Sequence, residues 1–91
     1  MTLTQAGRPR LSPGVKLQFD RTRDQWILQA PERVFVLDEA AHEIILRCTG
    51  EMTVQDLVLD LSRSFDADEA EIAADVEELL SSLIEKRVIV A

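Results

Sequence analysis

The sequence predicts an α+β domain in which a three-stranded antiparallel sheet precedes three helices. Three observations carry this. Apolar residues recur with period two at Val15, Leu17 and Phe19 and again at Trp26, Leu28 and Ala30. An unbroken apolar run follows at Val34-Phe35-Val36-Leu37. From Asp38 onward the period changes to that of a helix.

The first strand pairs its apolar positions with Lys16, Gln18 and Asp20, as a half-buried strand does. Asp20-Arg21-Thr22-Arg23-Asp24 has no apolar residue and suits a turn. In the second strand, Gln25, Ile27 and Gln29 take the alternate positions, and Pro31-Glu32 closes it, because proline cannot donate to a ladder. Val34–Leu37 is the third strand, expected to be covered on both faces. The short connections favour a meander.

Asp38 ends that strand and caps the first helix, with Glu39 at the positive helix end and Gly50 as its stop. The apolar face is Leu37, Ala41, Ile44, Ile45 and Cys48. A second helix starts at Thr53, with Asp56 completing an approximate capping box, and its face is Val54, Leu57, Val58, Leu61 and Phe65. The third and longest helix starts near Asp68, with Glu71 forming a second box. Its face is Ile72, Val76, Leu79, Leu80, Leu83 and Ile84, and Lys86 and Arg87 sit at its negative end. Val88-Ile89-Val90 reads as a small terminal strand. The last two helices have helix-turn-helix proportions, so the whole resembles a winged-helix domain with its sheet at the front. Residues 1–10, polar and without periodicity, read as a flexible tail, and residues 11–91 as a single domain.

Ninety-one residues suffice for one modest core, burying roughly 60–65% of the unfolded surface. No apolar run approaches the roughly 18 residues of a membrane span, and the N-terminus has no signal-peptide core. With one cysteine, these features favour the cytoplasm. The net charge of −7 is uneven: residues 1–33 carry six basic and three acidic side chains, and residues 34–91 four basic and fourteen acidic ones.

Catalytic chemistry has little to work with. His42 and Cys48 are the only residues of their kinds, and six positions along one helix set them about 120° apart. His42 reads as a boundary residue and Cys48 as a small core residue. There is no zinc ligand set and no glycine-rich phosphate loop. Asp66, Asp68, Glu69 and Glu71 lack the glycine and spacing of a calcium loop. The reading is therefore a non-enzyme with no metal or cofactor of its own.

Nucleic acid is disfavoured as well. The third helix would enter the groove, and it carries Asp68, Glu69, Glu71, Asp75, Glu77 and Glu78 where phosphate contacts need lysine and arginine. A peptide fits better, because an extended segment can add to an open sheet edge. Val34–Leu37 offers that edge, and Leu79, Leu80 and Leu83 give the third helix more apolar bulk than one stripe needs. Leu79 and Leu80 cannot point along the same line, so one of them is the better groove candidate.

Pro9–Asp20 (PRLSPGVKLQFD), Ala30–Val58 (APERVFVLDEAAHEIILRCTGEMTVQDLV) and Asp75–Ile89 (DVEELLSSLIEKRVI) together resemble the pyrroloquinoline quinone biosynthesis protein D family, peptide-recognition elements of ribosomal peptide modification. The resemblance covers residues 9–90. It implies a peptide chaperone that binds the precursor peptide of the quinone and presents it to a radical S-adenosylmethionine enzyme, which supplies the chemistry. It also implies that the peptide lies along Arg33, Val34, Phe35, Val36 and Leu37, facing Asp75, Val76, Leu79, Leu80 and Leu83. The chain departs from the family pattern at Arg33, where glycine commonly follows Pro-Glu. It departs again at Asp38 for asparagine and at Thr49 within Cys48-Thr49-Gly50. The alternative, from another class, is an acidic winged-helix module used only for protein–protein assembly. An exposed apolar edge also invites self-pairing, so a homodimer, strand-exchanged through the Pro31-Glu32 connection, is expected at high concentration and a monomer once peptide occupies the edge.

Overall fold

The computed structural model describes residues 3–91. Its elements in chain order are β1 (Arg10–Leu11), β2 (Lys16–Asp20), β3 (Gln25–Gln29), β4 (Val34–Leu37), α1 (Glu39–Leu46), α2 (Val54–Ser64), α3 (Glu69–Glu85) and β5 (Ile89–Val90). β2, β3 and β4 form the antiparallel meander, with β3 in the centre and β4 on one edge. Three helices follow, which is the winged-helix-like α+β arrangement.

One face of the sheet carries Leu17, Trp26, Leu28, Phe35 and Leu37 toward the helices, where they join Ile45, Leu57, Leu61, Val76, Leu80 and Leu83 in one core. Among the described residues, no helix packs on the other face. Val34 and Val36 are therefore 53% and 60% exposed, against the expectation of a strand covered on both sides. Ile27 shares that outer face yet is buried, because it lies mid-strand between Gln18 on β2 and Val36 on β4. Trp26 ties the inner face to α1: its ring stacks on His42 at 4.2 Å, and Phe19 meets it edge-on at 5.2 Å.

The helix starts follow local chemistry. Asp38 Oδ1 accepts from the Ala41 amide at 2.7 Å. Thr53 and Asp56 form a reciprocal capping box. Asp68 accepts from the Glu71 amide at 3.3 Å. Arg47 follows α1 and bonds Asp60 on α2 at 2.6 Å and Glu43 at 3.0 Å. Burial disfavours its charge, but these two carboxylates more than offset that and hold the guanidinium above its ordinary range. Cys48 is buried and donates its thiol proton to the Ile44 carbonyl at 3.3 Å.

Three features depart from the sequence expectations. First, α1 ends at Leu46, and Gly50 serves a later turn: its φ of +87° suits glycine, and its amide donates to the Pro9 carbonyl at 2.9 Å. Second, Phe65 is 51% exposed, because α2 stops there and Asp66, at φ +49°, turns the chain away. Third, the stretch read as a tail is engaged in its described part; Met1 and Thr2 lie outside the described residues. Carbonyls of Gln5 and Gly7 accept from the first free amides of α2, at Gln55 and Val54. Pro9 is fully buried, and Arg10–Leu11 pairs with Ile89–Val90. The expected terminal strand thus finds its partner at the opposite end of the chain.

Candidate functional site

The hydrogen-bond phase of the β3–β4 hairpin decides which groups of β4 are free. Ala30 donates to the Arg33 carbonyl at 2.8 Å, so these two form a bonded pair across the Pro31-Glu32 turn. Antiparallel pairs alternate between bonded and non-bonded. In the observed register, Leu28–Phe35 and Trp26–Leu37 are bonded pairs, and Gln29–Val34 and Ile27–Val36 are not. Val34 and Val36 therefore turn both backbone groups to the edge away from β3. Four main-chain groups, two donors and two acceptors, line an edge that no other strand among the described residues occupies.

A hollow between α1 and α3 opens just past the end of this strand, at Asp38. Arg33 Nη2 donates to the Lys86 carbonyl at 2.7 Å, which fixes the start of β4 beside the C-terminus of α3. At the other end, Asp38 and Ala41 share a hollow of about 420 Å³ with Asp75, Glu78, Leu79 and Ser82. The two segments match in length: Arg33 to Asp38 spans about 17 Å as strand, and Asp75 to Lys86 about 16 Å as helix. α3 therefore runs alongside β4 in the opposite direction. A more apolar cleft of about 340 Å³ continues the hollow through Ala40, Ile44 and Asp75, toward Leu61, Phe65 and Ile72.

The ten expected site residues fall into two groups. Val34 and Val36 supply the free edge, Phe35 is half-buried beneath it, and Arg33 closes one end with its guanidinium 5.4 Å from the Phe35 ring centroid. On α3, Asp75 and Leu79 line the hollow. Leu37, Val76, Leu80 and Leu83 are turned into the core, where they set the position of the walls. Of the two adjacent leucines, Leu79 is thus the groove residue and Leu80, fully buried, the core residue. Sequence reasoning missed Glu78 and Ser82. They fall on the helical stripe of Asp75, Leu79 and Lys86, and that spacing was the available signal.

The arrangement offers main-chain pairing, a shallow apolar wall and charge. Among the described residues, no group of three or more His, Cys, Asp or Glu side chains is placed to hold a metal ion, and no helix is long and apolar enough to cross a membrane.

Comparison with known proteins fits this geometry. The family model "Coenzyme PQQ synthesis protein D (PqqD)" matches residues 25–89. The chain belongs to the PqqD family. A relative from Xanthomonas oryzae pv. oryzae strain PXO99A, named PqqA binding protein, is 47% identical over 97% of this chain and 96% of its own length. One from Xanthomonas axonopodis pv. citri, with the same name, is 46% identical over 96% and 95%. Among solved structures, the PqqD truncation of Methylobacterium extorquens PqqCD superposes with a TM-score of 0.84 at 38% identity, covering 99% of this chain and 96% of that one. That truncation is described as a functional, stand-alone recognition element for ribosomally synthesised and post-translationally modified peptides. PqqD from Xanthomonas campestris gives a TM-score of 0.59 at 44% identity, with 94% and 96% coverage.

Proposed function

We propose that this PqqD-family chain is a non-catalytic peptide chaperone of pyrroloquinoline quinone biosynthesis, acting in the cytoplasm. It takes the PqqA precursor peptide as an added strand on the free edge of β4, with the peptide's inward side chains against α3. It then presents the peptide to a radical S-adenosylmethionine enzyme. The single observation that carries this reading is the edge itself, where Val34 and Val36 direct their amides and carbonyls away from β3. An extended peptide satisfies all four groups at once, and its alternate side chains enter the groove. The names of the relatives, and the description of the Methylobacterium domain as a peptide-recognition element, support the same assignment.

The experiment is a calorimetric titration of the purified chain with PqqA alone, followed by a titration in the presence of the radical enzyme. Saturable one-to-one binding of the bare peptide, and a ternary complex with the enzyme, are expected. Binding that needs the enzyme throughout would favour the assembly-module reading. Without peptide, the β4 edge pairs with a second copy at high concentration.

A further inference from the structure

Strand addition at β4 leaves one apolar cleft unexplained. It measures about 340 Å³, and its apolar lining is chiefly Ile44 of α1, Leu61 of α2, Ile72 of α3 and Phe65 from the turn between α2 and α3. No residue from Arg33 to Leu37 lines it. Phe65 is exposed there, and its turn is fixed. The Phe65 amide donates to the Leu61 carbonyl at 3.1 Å, the Ala67 amide to the Ser62 carbonyl at 3.0 Å, and Ser62 Oγ to the Ala67 carbonyl at 2.7 Å. A built turn thus holds a large aromatic ring at the mouth of an apolar cleft, as at a binding surface.

The charged residues lining the cleft are all acidic: Glu39, Glu43 and Asp75. Arg47 is engaged with Glu43 at 3.0 Å and with Asp60 at 2.6 Å, and these are the ion pairs among the described residues. Glu39 and Asp75 therefore face the cleft without a cation. The cleft also shares Ala40, Ile44 and Asp75 with the hollow that opens at Asp38, just past the end of β4.

We propose that this cleft docks the enzyme to which the peptide is presented, by receiving a large apolar side chain flanked by lysine or arginine. Charge complementarity sets the chemistry of the occupant. An acidic segment is repelled by Glu39 and Asp75, and a wholly apolar one covers both carboxylates without pairing them. An apolar side chain with basic neighbours satisfies the apolar and the acidic lining together. A second copy of this chain is disfavoured, because it carries a net charge of −7 to an acidic cleft. Position assigns the enzyme. A partner seated between Glu39 and Phe65 stands beside the end of β4, where one end of an added strand leaves the sheet, and it covers no main-chain group of Val34 or Val36. Phe65 then acts as the aromatic anchor of the contact, and the carboxylates orient it. The inference rests on strand addition and presentation to an enzyme, and adds the surface and the chemistry of that second contact.

The test sets enzyme binding beside peptide binding. The radical S-adenosylmethionine enzyme is titrated into the PqqA-loaded wild type, Phe65→Ser, Glu39→Gln and Glu39→Lys, and PqqA alone is titrated into each. In low salt, Phe65→Ser and Glu39→Lys are each expected to weaken the enzyme contact about tenfold or more, with Glu39→Gln between, and to leave PqqA affinity unchanged. At 1 M salt, where the screening length is about 3 Å, the Glu39→Lys loss is expected to shrink and the Phe65→Ser loss to persist. A photoreactive benzoylphenylalanine in place of Phe65 is expected to cross-link to the enzyme. Both positions are exposed, and unchanged β3–β4 amide resonances check the fold. Unchanged enzyme affinity in either variant, or a cross-link to PqqA or to a second copy of the chain instead, overturns the docking while leaving strand addition standing. PqqA affinity that falls along with enzyme affinity also overturns it, by placing the cleft in the peptide site. Failure of the wild type to bind PqqA, or of the loaded wild type to bind the enzyme, overturns the reading on which it rests.

Discussion

Ile27 and Val36 stand directly opposite each other in a pair that exchanges no hydrogen bonds, so the Val36 amide belongs to the free edge of the sheet. The neighbouring pair, Leu28 and Phe35, is bonded in both directions. Two adjacent residues of one strand therefore do different work: one holds the hairpin together and the other is free to hold a guest.

Proline separates the two roles. Val36→Pro removes a donor that β3 does not use, and proline is tolerated where the amide faces away from the ladder. The variant is expected to keep its fold and to lose about tenfold or more in PqqA affinity. Phe35→Pro breaks the ladder itself and is expected to cost about 2 kcal/mol or more of stability. Urea unfolding and calorimetric titration of the two variants check both statements.

The adjacent leucines of α3 divide in the same way. Leu80→Ala opens a cavity in the core and is expected to cost about 2–5 kcal/mol, whereas Leu79→Ala, at the groove, costs about 1 kcal/mol. Leu79→Asp is expected to weaken PqqA binding with little change in midpoint, since it places a charge on the apolar wall that the peptide would cover on the proposed reading. Denaturant midpoints set beside dissociation constants test the division.

Local rules made much of this fold legible in the sequence. Asp38, Thr53 and Asp68 are caps readable from one or two neighbours, and the meander follows from alternation and short turns. Pairings that join distant parts of the chain were hidden. Nothing near Gln5, Gly7 or Pro9 indicates that their carbonyls close α2 and the turn at Gly50, and Arg10–Leu11 is too short to show a period. The edge at Val34–Leu37 was legible as an apolar strand, but its phase was not. That depends on the single bond from Ala30 to Arg33, which decides that Val34 and Val36, rather than Phe35, face outward. The split of Leu79 from Leu80 needed the placement of α3, because the stripe alone admits either.

Cys48 gives the fold an alkaline limit. Burial pushes its thiol from 9.0 up to about 12. The folded chain keeps a proton that the unfolded chain releases above pH 9, so this contribution is full below pH 9 and is lost as pH rises toward 12. The slope is at most about 1.4 kcal/mol per pH unit. Cys48→Ala is expected to be less stable at neutral pH and to show a flatter decline above pH 9. Unfolding free energies across pH 7–11 measure that difference in slope.

On the proposed reading, self-association and peptide binding would compete for one edge. Sedimentation equilibrium is expected to show dimers at high protein concentration, and saturating PqqA is expected to return them to one-to-one complexes. Val36→Pro should weaken the dimer along with peptide binding, because both use the same donor.

Amide hydrogen exchange of the uniformly labelled chain, with and without PqqA, tests strand addition most directly. In the free chain, Val34 and Val36 should exchange fast and Phe35 and Leu37 slowly. With peptide bound, Val34 and Val36 should become protected while the β2–β3 turn at Arg21–Arg23 is unchanged. Protection confined to that turn, or saturating peptide that leaves Val34 and Val36 exchanging as fast as before, would contradict the account.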